Sequence, residues 1–224
     1  EAFLCALLNA WPMGFYHPAT LVKDAERHGV QVLPIDVTRS DWRCTIEHRG
    51  LAPRSDGRSR RVAVRLGLRF VRGLREEAGR SIVKARDERP IAGLGDLAAR
   101  VGLLERELDT LAELGALGAL SESRRAASWQ VRGLAPSREP LLAGVEARAA
   151  RTPGPAMSAL EETLADYRTS GMTTGPHLMA HFRDRLHRRG VVSLARLRRA
   201  ANGVRLRTAG LVIVRQRPGT AKGI

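Results

Sequence analysis

Apolar positions are dense over residues 1–10 and are closed by Trp11, Pro12 and Gly14, so the chain is expected to open on a short helix tail. Pro18 stands where the first turn of a second helix tolerates it, because a missing N–H costs nothing there. That helix carries Leu21, Val22 and Ala25 on one face and is expected to stop near Gly29. Residues 30–37 read as extended, and a short strand is expected at 44–47. Val62, Val64, Leu66 and Leu68 alternate, which predicts a further strand or extended approach with one buried face. Helical spacing then resumes: Ala78, Ile82, Val83 and Ala85 form one inward face, Leu97 and Val101 a second, and Leu108, Leu111 and Leu114 a third. Gly115 is placed to end the third of these, and Ser121 to cap a helix containing Trp129.

Beyond residue 131 the pattern lapses. Residues 132–157 hold four prolines and three glycines with no sustained period, the signature of a linker. Ser158 with Glu161 three residues on makes a capping box, which predicts a helix through Leu160, Leu164 and Tyr167. Another helix is expected from Pro176 and a third, very basic one from Ser193. From Val204 the period becomes two: Val204, Leu206 and Thr208 alternate, Gly210 permits a bend, and Leu211–Val214 continue a strand.

Composition narrows the partners. Lys and Arg total 38 against 23 acids, a formal charge of +15, and a polyanion is the partner that such a surplus favours through counterion release. Lys appears only at positions 23, 84 and 222, so arginine-rich codon usage accounts for part of the excess. Clustering goes further: residues 183–207 hold nine Arg and the single acid Asp184, and residues 49–61 hold five Arg and the single acid Asp56. Aromatic content is 4%, which favours small helical cores of Leu, Val and Ala and offers few rings for base stacking. Cys5 and Cys44 lack CxxC spacing, so neither a disulfide framework nor a zinc ribbon is expected. No apolar run approaches a membrane span, and a reducing cytoplasm is the expected location. The opening residues read as a chain entered mid-helix, and both termini are expected to be internal points of a longer protein.

Among candidate sites, the turn at 71–82 has the spacing of a helix-hairpin-helix unit in Val71, Gly73, Leu74 and Ile82. Such a turn presents backbone N–H groups, aided by the helix dipole, to a phosphate while ignoring base identity. Arg72, Gly73, Leu74 and Arg75 are therefore the expected DNA contacts, although an ordinary helical hairpin has the same spacing. Arg75 stands where the pattern usually has a second Gly, and Gly79 where a small Ala is common. His177 and His181 lie at i and i+4 with His187 beyond, but the sequence offers no HExxH and no nearby Cys, and no metal site is expected. Asp24, Asp36, Asp41 and Asp96 are scattered rather than paired for two-metal chemistry, so no catalytic residue is assigned.

Phe3 to Asp41, including Ala6-Leu7-Leu8-Asn9-Ala10-Trp11-Pro12-Met13-Gly14-Phe15-Tyr16 and the stretch His28 to Val37, resembles the end of the fingers region of bacterial C-family DNA polymerases, the polymerase III alpha type. Leu66 to Leu74, followed by Ile82 and Ala85-Arg86, resembles that family's tandem helix-hairpin-helix region, and Leu111 to Leu117 its end. Thr173 to His177 and Gly210 to Gln216 are similar to the entry into its oligonucleotide-binding (OB) domain. The residues Trp11–Tyr16 and the short linker resemble the error-prone, damage-tolerant branch more than the main replicative subunit. Arg75, and Leu178 after His177, depart from the family pattern.

The resemblance implies a DNA-binding portion of a DNA-directed DNA polymerase active in damage-induced mutagenesis and translesion synthesis. It implies primer-template duplex, and single-stranded template, as partners. Accessory mutagenesis proteins and a sliding clamp are implied for the parent enzyme. It also implies catalytic aspartates, and the Mg2+ they hold, in a palm outside this chain, so no cofactor is expected here. The expected fold is mainly α with short β elements: a tandem helix-hairpin-helix core and an incomplete OB-fold start at the C-terminus. The expected divisions are 1–61 (end of fingers and connecting loop), 62–131 (hairpins), 132–157 (linker) and 158–224 (helical segment leading into the truncated OB fold). A stand-alone helix-hairpin-helix adaptor without enzymatic activity is the alternative reading.

Overall fold

The computed structural model describes residues 1–12, 14, 16–48, 62–134, 154–212 and 215. The elements run α1 (Ala2–Ala10), α2 (Pro18–Arg27), β1 (Val32–Leu33), β2 (Thr45–His48), β3 (Val62–Arg65), a 3-10 turn at Leu68–Phe70, then α3 (Glu76–Glu88) and α4 (Leu94–Arg100). After these come α5 (Glu105–Leu114), α6 (Arg124–Gly133), α7 (Ala159–Ser170), a second 3-10 turn at Leu178–Ala180, α8 (Arg183–Arg188) and α9 (Leu194–Leu197). The chain is mainly α with short β elements, as the pattern predicts. It divides into two units, Glu1–Gly175 and Pro176–Ile224. The Arg-rich stretch 49–61 and most of the expected linker fall outside the described residues.

In the first unit β3 is the central strand, parallel to β1 with Val32 opposite Val64 and antiparallel to β2 with Ile46 opposite Val64. Arg65 is buried at the end of β3, and its charge is matched. Its Nη2 donates to Glu47 Oε2 at 3.0 Å and its Nη1 to the Pro34 carbonyl at 2.8 Å. The alternation predicted through Leu68 breaks there. Leu68 and Arg69 donate their N–H groups to the Asp41 and Trp42 carbonyls at 2.8 and 3.0 Å, which turns the chain into the 3-10 turn. Gly67 makes that approach possible, because a Cβ on it would lie 2.5 Å from Trp42 O and 2.7 Å from Cys44 N.

Side chains from both sides of this sheet join one core. Leu8, Val22 and Val37 from the N-terminal elements pack in the same cluster as Ile82, Leu97, Leu111 and Leu117 from the helices that follow. Asn9 fastens α1 to the approach to β2, its amide satisfying both the N–H (2.8 Å) and the carbonyl (2.9 Å) of Cys44. Gly115 ends α5 in the left-handed conformation, as expected. The cap of α6 is Ser123 rather than the expected Ser121: Ser123 Oγ accepts from Ala126 N–H at 3.1 Å, while Ser121 lies two residues further out.

Helix α7 carries the predicted Ser158/Glu161 capping box, yet its inward face is not the leucine face. Leu164 is 46% exposed, and the buried side is Thr163, Ala165, Asp166, Thr169 and Ser170. Their hydroxyls are satisfied within the helix, each donating to the carbonyl four residues back at 2.7–2.9 Å. Asp166 is paired with Arg124 of α6 at 2.6 Å. Polar packing of this kind leaves no apolar period to read.

In the second unit the expected helix from Pro176 is a 3-10 turn at Leu178–Ala180 followed by α8, and Ser193 caps α9 through Arg196 N–H at 3.3 Å. The strand expected from Val204 is absent among the described residues. One isolated parallel bridge joins Val191 to Arg207, and Val204, Leu211 and Val212 are exposed. Ile213 and Val214 of the expected strand lie outside the described residues. Among the described residues of this unit, the stretch 204–212 has no neighbouring strand to pair its backbone.

Candidate nucleic-acid interface

Two short turns precede two helices of the first unit. Residues 71–75 lead from the 3-10 turn into α3, and residues 101–104 lead from α4 into α5. The first contains all four residues singled out from the sequence. Gly73 has φ +78°, and a Cβ there would meet nothing within 4 Å, so backbone conformation alone explains the glycine. Leu74 is buried and anchors the turn in the core. Arg72 is exposed but engaged: its N–H donates to Thr169 O at 2.8 Å and its Nη1 to Arg168 O at 3.0 Å, at the carbonyl end of α7. A guanidinium at that end complements the helix dipole.

Arg75 is the N-cap of α3, and its partner is Glu107, a residue on the next hairpin that sequence reasoning did not single out. Glu107 is 1% exposed. Its Oε1 accepts from Arg75 N–H at 3.0 Å and Arg75 Nε at 2.8 Å. Its Oε2 accepts from Arg75 Nη2 at 3.0 Å and from Leu104 N–H at 2.8 Å. Arg75 Nη2 also reaches Gly102 O at 3.0 Å. One carboxylate thus caps the N-terminal ends of both α3 and α5 and fixes the two turns to each other. The Arg75 guanidinium first, then the backbone N–H groups of Leu104 and Arg75, hold the Glu107 carboxyl down at about 2, against the opposing effect of burial. The same hydrogen bonds, donated to Glu107, raise the Arg75 guanidinium. The departure at 75 from the usual hairpin glycine therefore has a structural reason. So does Gly79: a Cβ there would lie 2.5 Å from the Trp42 ring, which covers α3. The sequence signal for Glu107 was an acid three residues beyond the start of a helix, a position that commonly bonds back to the cap N–H.

Charge is divided unequally between the two units. Residues 176–224 carry twelve Lys and Arg against Asp184 alone, or +11 of the total +15. In the first unit most described arginines are engaged by carboxylates or carbonyls, as at Arg65, Arg69, Arg86, Arg100 and Arg124. Among the described residues, none of the nine arginines between 183 and 207 forms an ion pair or a side-chain hydrogen bond. They are free to neutralise phosphates.

Other candidate chemistry is used locally. His17 and His177 cap the starts of α2 and the second 3-10 turn, each accepting a backbone N–H at 3.2 Å. Asp36 closes a turn through Thr38, and Asp41 pairs with Arg86 at 2.6 Å. Cys5 and Cys44 are buried free thiols, and burial pushes Cys44 up to about 11. Among the described residues no three His, Cys, Asp or Glu side chains converge as metal ligands, and no helix is long and apolar enough to cross a membrane.

A family model described as a helix-hairpin-helix motif matches residues 29–127, which contain both turns. Curated relatives named error-prone DNA polymerase match the chain from end to end. The protein of Alkalilimnicola ehrlichii is 46% identical over 222 residues, that of Burkholderia pseudomallei 48% over 222 residues, and that of Caulobacter vibrioides 43% over 246 residues. Each alignment covers 99–100% of this chain and 20–22% of the relative, so the chain spans about a fifth of the length of the curated relatives it matches.

Proposed function

We propose that this chain, which belongs to the error-prone DNA polymerase family by similarity along its whole length, is the part of such an enzyme that grips duplex DNA by its backbone behind the primer terminus. The observation that carries the reading is the fastening of the two hairpin turns through Glu107. It holds the N-terminal ends of α3 and α5, with their dipoles and first-turn N–H groups, as one rigid pair. Gly73 and the backbone beside it form the contact, Arg75 sets its shape through Glu107, and Arg72 adds positive charge. Contact with phosphates alone is indifferent to sequence, as a template-directed enzyme requires. The unpaired arginines of residues 183–207 supply a second, long-range attraction for DNA.

The whole protein is then a DNA-directed DNA polymerase that copies damaged template, cytoplasmic and acting with accessory mutagenesis proteins and a sliding clamp. The aspartates and Mg2+ of nucleotidyl transfer are assigned to its palm rather than to this segment. Fluorescence anisotropy of the chain with a labelled blunt duplex across a salt series tests the grip. Binding that weakens linearly with log salt is expected. No binding at low salt by a folded chain would overturn the reading.

A further inference from the structure

Trp129 is the one tryptophan of three that stands out from the core: it is 44% exposed, whereas Trp11 and Trp42 are half-buried and packed against it. It lies on the outer face of α6 with Arg125 and Arg132, at i−4 and i+3, while Ala126, Ala127 and Val131 are buried on the other side. Opposite stand Asp109 and Glu113 of α5, and Met157 completes the wall of a cavity of about 500 Å3. That is the size of a site for a small planar group. The groove has two features of an unfilled binding site. The buried Arg125 Nε has no hydrogen-bond partner, a donor awaiting an acceptor. Two of the neighbouring ion pairs are loose, Arg132 with Asp109 at 3.8 Å and Arg125 with Glu161 at 3.7 Å, both exposed enough that opening them costs little, while Glu113 is held by Arg168.

We propose that the groove between α5 and α6 is a stacking site for one unpaired nucleobase of the DNA strand held at the hairpins, with the base against the Trp129 ring. The proposal rests on the DNA-binding reading above and adds a subsite to it. The two basic and two acidic side chains of the lining cancel, so the groove favours a group of little charge over a bare phosphate. An aromatic face accepts any base, and the exposed end of the Arg125 guanidinium meets a ring nitrogen or carbonyl oxygen on its edge. Arg132, 70% exposed at the rim, exchanges Asp109 for the adjoining phosphate. Position fits as well. Asp109 and Glu113 lie about 8 and 14 Å along α5 from Leu104 in the second turn, at 1.5 Å per residue. A strand with a phosphate at that turn brings its next few nucleotides to the groove.

Titrating the full chain with a single-stranded deoxycytidine octamer while following tryptophan emission tests this, with a blunt duplex in parallel. Saturable quenching is expected in the parent, and Trp129→Ala removes it. Single-strand affinity falls at least about fivefold in Trp129→Ala, is kept within about twofold in Trp129→Phe, and blunt-duplex affinity is unchanged in both. Single-strand binding without quenching in the parent, or equal single-strand affinity in the parent and a folded Trp129→Ala variant, would refute the stacking site. Absence of blunt-duplex binding in the parent would instead count against the duplex grip.

Discussion

Replacing Glu107 with Gln isolates the charge that joins the two hairpin turns, because the amide has nearly the shape of the protonated acid. The carboxyl lies at about 2 in the folded chain against its ordinary 4.5. That difference of about 2.5 units corresponds to roughly 3 kcal/mol of stability at neutral pH, at 1.36 kcal/mol per unit. Because the folded value is depressed, the contribution is fully present above pH 4.5 and is lost as pH falls towards 2. Less than half of it remains at pH 3. Urea unfolding followed by far-UV circular dichroism at pH 7 and pH 3 gives the comparison. Glu107→Gln should be about 3 kcal/mol less stable than the parent at pH 7 and less than half as much at pH 3. At pH 7 its melting temperature should be lower by about 6–12 °C for a unit of this size. A variant within 1 kcal/mol of the parent at pH 7, or a deficit that does not shrink with acid, would refute the view that one ionised carboxylate caps both helices.

Three further outcomes follow from the same geometry. Gly73→Val forces a β-branched residue to φ near +78°, and should cost about 1–2 kcal/mol and weaken duplex binding; unchanged affinity in anisotropy would remove the 71–75 turn from the contact. Gly67→Ala pushes a methyl into the backbone of residues 42–44, which cannot swing aside, and should lower stability by about 1–3 kcal/mol in thermal unfolding; a neutral result would contradict the close approach. Arg183→Ala, Arg185→Ala and Arg188→Ala together should leave the melting temperature nearly unchanged, since none of these side chains has a partner among the described residues, while reducing the salt slope of duplex binding by up to about three. An unaltered slope would mean that α8 faces away from the DNA.

Elements with a strong local signal were legible in the chain. Pro18, the Ser158/Glu161 box and Gly115 mark helix ends by chemistry that acts over a few residues, and the structure places those ends where they point. What the pattern missed depends on partners distant in sequence. The strand through Leu68 is cut short because Asp41 and Trp42 carbonyls take its N–H groups, a contact between chain segments more than 20 residues apart. The inner face of α7 was not legible, because it is polar and satisfies its hydroxyls within the helix rather than following the leucines. At the hairpin, Arg72 and Arg75 were legible as basic residues beside a glycine, but their engagement was not. Glu107 is 32 residues away from Arg75 and looks, in one dimension, like any acid early in a helix.

The docking of α7 against the first hairpin has a consequence for how this region tolerates change. Its attachments are non-covalent and local: Arg124 to Asp166, Arg168 to Glu113, and the backbone of Arg72 to Thr169. The hold of α7 on the first hairpin therefore rests on contacts made across space and not on the covalent connection from α6, and removing Asp166 or Glu113 should loosen it even though the chain stays continuous.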